Sequence, residues 1–410
     1  MRAALFVLAL AACGDGTTLP DADPRSDADA RGLVTVRIEK ATATTGVRVF
    51  FQNADSTLVL ATRFNDANEA SALMAPGGFV TVYEEPFAEI SLYTWTNVQP
   101  GDVLTLDLRQ PELGDAQPNL SLIIEAFDNA LDYFAFDRCE SFVEVSAALE
   151  SPFAPFFQSC TPTSDVLLVA RDQNAEPAGY RYAKNANLQS PGTLDMRGPY
   201  TPFDATVDVE GPTGAIVNVT GALADVFYTT GTSTQITGTH ATLPISMPVI
   251  AGEVAQLSAR MIDDTNDPRT VVSAIVWGPG TTSTTLDLSA PIRTLTTRPE
   301  LDLSSYELRW TENDDGERGD LVWAQVGFSN LQWIVIGERR DETTLRLPVL
   351  PYEALRPRDE TVYVDTFALI DTDVPYDRLH TYLLGRWSPS NGSLWPMVDP
   401  TGRVSFRSTR

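Results

Sequence analysis

Lysine is almost absent from this chain. Lys40 and Lys184 are its only two, so arginine carries nearly all the positive charge. Histidine is as scarce, at His240 and His380, which removes His-rich zinc sites and leaves few choices for a His general base. Cysteine occurs 3 times, too few for a four-cysteine metal site. No apolar run reaches the about 20 residues that a membrane-spanning helix needs. There is no GxxxxGK nucleotide loop, no GxSxG elbow and no HExxH zinc helix. Basic charge is in deficit: 29 Lys+Arg face 55 Asp+Glu, a formal net charge of −26. Phosphate would be repelled rather than gathered, which excludes nucleic acid as a partner.

What is present suffices to fold. The chain has 410 residues, 43% of them hydrophobic and 20% charged, enough for two to four domains and unlike a disordered acidic tail. At the start, Met1-Arg2 precedes the ten-residue apolar run Ala3 to Ala12, which fits the h-region of an export signal. The run ends in Leu10-Ala11-Ala12-Cys13, which resembles the lipobox of bacterial lipoproteins. In that family the signal is cut before the cysteine, whose sulfur then carries a diacylglycerol. Residues 1–13 therefore read as a signal with Cys13 as the lipidation site, and the bilayer as a partner through that anchor. Gly14 stands where an aspartate would favour inner-membrane retention, so the resemblance implies a cell-envelope, outer-membrane lipoprotein. Residues 14–31 are rich in Asp, Pro and Ala without apolar periodicity and read as a disordered acidic tether. With Cys13 set aside, an exported protein is expected to join Cys139 to Cys160. Closing that loop would stabilise by roughly 3 kcal/mol.

From residue 33 onward the apolar pattern has period two. Val34, Val36 and Ile38 alternate with Thr35, Arg37 and Glu39; Leu104, Leu106 and Leu108 alternate with Thr105 and Asp107. Gly, Pro, Thr and Asn punctuate every few residues. The fold expected is all-β: tandem immunoglobulin-like or transthyretin-like β-sandwich domains behind the signal and tether. An internal repeat divides them. Thr105-Leu106-Asp107-Leu108 recurs as Thr193-Leu194-Asp195-Met196 and as Thr285-Leu286-Asp287-Leu288, each soon followed by a proline. The spacing is about 90 residues, near the size of a seven-strand sandwich. Taking each copy as a closing strand gives cuts at 32–110, 111–198, 199–291 and 292–410, the last closing with Arg403-Val404-Ser405-Phe406.

In the first of these, Gly46 to Phe51, Thr62 to Ala70 and Pro76 to Val82 resemble the carboxypeptidase-regulatory-like, or transthyretin-like, sandwich, with Glu69 near the family's glycine. The resemblance implies fold and no catalysis, and some relatives bind sugars.

Three acidic loops are candidates for calcium: Asp263-Asp264 with Asp267, Asp314-Asp315, and Asp371 with Asp373. None has EF-hand spacing, and Asp-rich turns between strands are also ordinary. No other cofactor is expected. Trp323 and Trp333 sit in strand-like runs, and a core role is the usual one for tryptophans in such sandwiches, Trp310 among them. Trp387 and Trp395 flank a Ser-Pro-Ser-Asn-Gly loop and are the candidates for stacking on a glycan. No catalytic residue is assigned. The functional expectation is a non-catalytic structural or interaction module with an unidentified protein or glycan partner. The alternatives are a carbohydrate-binding surface protein and, third, an enzyme with an unrecognised site.

Overall fold

The computed structural model describes residues 31–39, 47–84, 90–107, 120–137, 142–146, 156–157, 163–188, 192–223, 226, 228–263, 269–279, 283–289, 292–328, 331–339, 343–357, 362–373 and 402–409. Among them the regular structure is β throughout, save one 3-10 turn at Glu353–Leu355. The all-β class expected from the period-two pattern is the class observed. Alternation is clear in the opening strand, where Val34, Val36 and Ile38 are buried and Leu33, Thr35 and Arg37 point outward.

The first seven strands are β1 (Gly32–Glu39), β2 (Arg48–Gln52), β3 (Leu58–Arg63), β4 (Glu69–Met74), β5 (Gly78–Glu84), β6 (Ile90–Val98) and β7 (Val103–Asp107). They form a three-stranded sheet, β4-β1-β7, and a run β3-β2-β5-β6. The inward side chains of both join one cluster, with Val34, Met74 and Leu106 from the first and Phe51, Val82 and Trp95 from the second. That is a sandwich.

The same order recurs. Next come β8 (Leu120–Ile124), β9 (Asp132–Phe136), β10 (Phe142–Ser146), β11 (Phe156–Phe157), β12 (Thr163–Arg171), β13 (Pro177–Asn187) and β14 (Gly192–Met196). Their sheets are β11-β8-β14 and β10-β9-β12-β13. The third set is β15 (Thr206–Glu210), β16 (Ile216–Leu223), β17 (Thr229–Gln235), β18 (His240–Pro244), β19 (Val254–Asp263), β20 (Thr270–Pro279) and β21 (Ser283–Asp287), arranged as β18-β15-β21 and β17-β16-β19-β20. The repeated Thr-Leu-Asp segments fall at β7, β14 and β21, and each of these strands lies parallel beside the first strand of its set.

The last seven strands vary the plan. They are β22 (Glu300–Asp302), β23 (Glu307–Arg309), β24 (Leu321–Phe328), β25 (Leu331–Glu338), β26 (Thr344–Arg346), β27 (Tyr363–Thr372) and β28 (Gly402–Thr409). In the sheet β22-β23-β26, β22 pairs antiparallel with β23, where the other sets place a parallel seventh strand.

The larger sheets are joined edge to edge. A single sheet runs β17-β16-β19-β20-β28-β27-β24-β25-β6-β5-β2-β3, so the last set lies between the third and the first. β20 meets β28 antiparallel, and β25 meets β6 parallel. Arg403–Phe406, expected to close the last unit, lies in β28, the last strand of its set, which pairs with β20 on one side and β27 on the other inside the twelve-stranded sheet. Within that sheet β20 and β24 are near-continuous apolar runs, as strands buried on both faces must be.

Alternate residues of a single strand feed different cores. Val272 and Ala274 of β20 belong to the third set's core, whereas Ile275 and Trp277 pack with the first and last sets. β12 behaves likewise: Val166, Leu168 and Ala170 face the second core, and Leu167 and Val169 face the third. Across that junction the Tyr180 hydroxyl donates to the Val249 carbonyl at 2.9 Å, and Phe136 meets Tyr228 edge-on at 5.2 Å. The units are interlocked. Among the described residues no helix is long and apolar enough to cross a membrane.

Candidate functional site

The outer face of β4-β1-β7 is graded along its strands. At one end Leu33 of β1 stands opposite Leu73 of β4, with Val103 of β7 one step further along on the same face. These three are 55%, 60% and 44% exposed. Next come hydroxyls, with Thr35 bonded to Ser71 at 2.9 Å. At the other end Arg37 pairs with Glu69 at 2.7 Å. The start of β1 is held firmly. Gly101 N donates to the Leu33 carbonyl at 3.0 Å, and Thr35 N donates to the Asp102 carbonyl at 2.9 Å. Gly32 packs so closely that an added Cβ would lie 2.6 Å from the Pro100 Cβ. The apolar end therefore presents a fixed surface at the start of β1. A second exposed apolar stretch, Leu58 to Leu60, lies on β3, the outermost strand of the twelve.

The sequence carries a signal for this face that periodicity counting passes over. Leu33, Leu73 and Val103 are aliphatics at positions out of phase with their strands' buried residues.

The candidate calcium ligands are drawn into ion pairs and turns. Asp263 accepts from Arg407 Nη1 at 2.7 Å. Asp314 pairs with Arg293. Asp315 accepts from Thr294 N at 2.9 Å, and Asp373 from Arg403 N at 2.8 Å. Asp371 is 4.0 Å from Arg403. Burial pushes its carboxyl above the usual range, and the carboxylates of Asp320, Glu317 and Asp373 push the same way against Arg403. Among the described residues no group of three or more His, Cys, Asp or Glu is placed to hold a metal ion. Asp264 and Asp267 lie outside the described residues, as do Cys13, Cys139, Cys160, Trp387 and Trp395.

Trp310, Trp323 and Trp333 are buried, which agrees with their reading as core. His240 is exposed at the start of β18, facing Glu210 across the ladder. A buried ion pair that sequence reasoning did not find joins Arg339 to Glu312, 1% and 5% exposed, with Arg293 3.5 Å from the same carboxylate. Burial pushes the Arg339 guanidinium below its usual range; Glu312 opposes the shift, while Arg318 and Arg293 add to it. Its Nε and Nη1, and Trp310 Nε1 beside it, have no hydrogen-bond partner among the described residues.

No family model matches the chain, and no curated protein matches it. Among solved structures it is similar to the Bacillus anthracis TIE protein, at 10% identity over 63% of this chain and 50% of that one, with a TM-score of 0.15. The chain thus spans half the length of that protein. It is also similar to the SGBP-B protein of the Bacteroides ovatus mixed-linkage glucan utilization locus, solved with a mixed-linkage heptasaccharide. There the identity is 11% over 76% of this chain and 80% of that one, with a TM-score of 0.09. At such scores neither likeness bears on this chain's role.

Proposed function

We propose that this chain is a non-catalytic lipoprotein of the cell envelope, held through a lipid on Cys13, whose sandwiches act together as one rigid interaction scaffold. The first unit is proposed as a carboxypeptidase-regulatory-like sandwich, and the domain cuts at 110, 198 and 291 are supported by the recurring strand order. One observation carries the reading. Of the eleven large hydrophobics exposed among the described residues, six lie between Gly32 and Asp107, on a body whose cores are otherwise interlocked. Contiguous exposed aliphatics mark contact surfaces in soluble domains. The net charge keeps the rest of the body soluble.

Two measurements test the proposal. Metabolic labelling with a fatty-acid analogue should tag the wild type and leave Cys13→Ala untagged; a tagged Cys13→Ala variant overturns the anchor. A photo-crosslinking residue at Leu60 should capture an envelope component in cells, whereas one at Ser233 on the polar edge strand β17 should not. Equal yields at the two positions overturn the scaffold.

A further inference from the structure

The graded face of the first sandwich stands at the end of the body that the tether reaches. Leu33 is the second residue of β1, so residues 14–31 end within two positions of the apolar patch. The strand ends beside it carry little charge, although the segment leading in carries Asp27 and Asp29 and the turn behind Gly77 carries Asp55. The stretches 31–35, 71–78 and 96–103 converge on this end and contain only Arg31 and Asp102 as charged residues, in a molecule of net charge −26. Asp102 is itself tied into the turn, accepting from Gln99 N at 2.7 Å. On the other sheet at this end the Asn97 amide donates to Glu338 of β25 at 2.9 Å. Away from the tether the same face passes through Thr35 and Ser71 to the Arg37–Glu69 pair.

On that face an apolar end followed by hydroxyls and then by an ion pair is the polarity profile of a body resting on a bilayer interface. We infer that Leu33, Leu73 and Val103 dock on the bilayer that holds the Cys13 lipid, seated at the boundary between headgroups and acyl chains, and so set the standing orientation of the first sandwich. This rests on the proposed anchor. Three half-exposed aliphatics are fewer apolar carbons than a single acyl chain, which itself binds membranes only marginally. The patch therefore orients a body already tethered and does not recruit a free one. The short tether suits this role: 18 residues keep the patch within about 65 Å of the bilayer even when fully extended.

The test uses the full-length lipidated protein in phosphatidylcholine vesicles doped with a phospholipid carrying a diazirine high on its acyl chain. After irradiation, peptides are mapped by mass spectrometry. The expected result is labelling at Leu33, Leu73 and Val103 several-fold above that at Arg37, Glu69 and strand β17. The Leu33→Asn, Leu73→Asn double variant, altered only at exposed positions, should lose this labelling while keeping its melting temperature and its recovery with the vesicles. Vesicle-bound protein labelled no more at the patch than on β17 overturns the docking and leaves the anchor standing. Protein–protein crosslinks through Leu73 in place of lipid adducts also overturn it, in favour of a second copy on this face. Wild-type protein that fails to float with the vesicles overturns the anchor instead, and the docking with it.

Discussion

Arg407 and Asp263 form an ion pair across the junction between two sandwiches, with Arg407 Nη1 donating to Asp263 Oδ2 at 2.7 Å. The arginine is 1% exposed and is held from two further directions, by the Ile292 carbonyl at 2.9 Å and the Thr270 hydroxyl at 2.8 Å. It sits on β28 where that strand pairs with β20. Removing one partner of a buried pair leaves the other charge uncompensated, at a cost of roughly 3–5 kcal/mol. Arg407→Met is expected to destabilise by that order and Asp263→Asn by less, since Asp263 is partly exposed. Urea unfolding checks this. A loss under about 1 kcal/mol for Arg407→Met would show that the pair does not hold the seam.

Arg339 and Glu312 make a different case. Both side chains are buried, and their desolvation is poorly compensated because Arg339 Nε and Nη1 have no partner among the described residues. Replacing such a pair with apolar side chains of similar volume is often neutral or stabilising, whereas breaking it singly is costly. Glu312→Leu alone should destabilise by about 3 kcal/mol. The Arg339→Met, Glu312→Leu double variant should recover most of that loss. Thermal melts of the two singles and the double complete the cycle, and strictly additive losses would count against coupling.

The β class was legible because period two is a backbone property: Val34, Val36 and Ile38 mark a buried face whatever lies beyond it. The Thr-Leu-Asp repeat was legible for the same reason, since β7, β14 and β21 each need aliphatics on one face only. Edge-to-edge joining was not. Which strand lies beside β28 depends on partners such as Thr270, 139 residues away along the chain from Thr409, and no local pattern encodes that distance. The unbroken apolar run of β20 was the available hint. The partner of Asp263 was not legible either, because Arg407 lies 144 residues downstream. The apolar end of the first sheet was visible as out-of-phase Leu33, Leu73 and Val103, but only the pairing of β4, β1 and β7 brings them together.

Asp371 should be a weak point at neutral pH. Burial raises its carboxyl above the usual range, with Asp320, Glu317 and Asp373 adding to the effect. A carboxyl whose folded value is raised favours the folded state fully only below its unfolded value of about 3.9. That contribution is lost as pH rises through the folded value. Asp371→Asn is therefore expected to raise the melting temperature at pH 7. The gain should shrink as pH falls and vanish once the wild-type carboxyl is protonated in both states. Adding millimolar calcium at pH 7 tests the competing role: a larger rise for the wild type than for the variant would make Asp371 a ligand after all.

The alkaline limb should be set by buried tyrosines. Burial pushes the Tyr93 phenol up to about 12, and Glu84 adds to the shift. Tyr180, Tyr200 and Tyr228 are raised as well, each first by burial. A phenol held neutral in the fold but free to ionise near pH 10 when unfolded contributes stability that is complete below pH 10. That stability is lost as pH climbs toward the folded value. Each such group steepens the decline by about 1.4 kcal/mol per pH unit inside that window. Unfolding should therefore set in above pH 10, with tyrosinate absorbance rising in the same cooperative step as the loss of β circular dichroism. Tyr93→Phe should move that step to higher pH, because one phenol no longer draws the chain toward the unfolded state. A cooperative step that Tyr93→Phe leaves at the same pH would show that this phenol does not govern the alkaline limit.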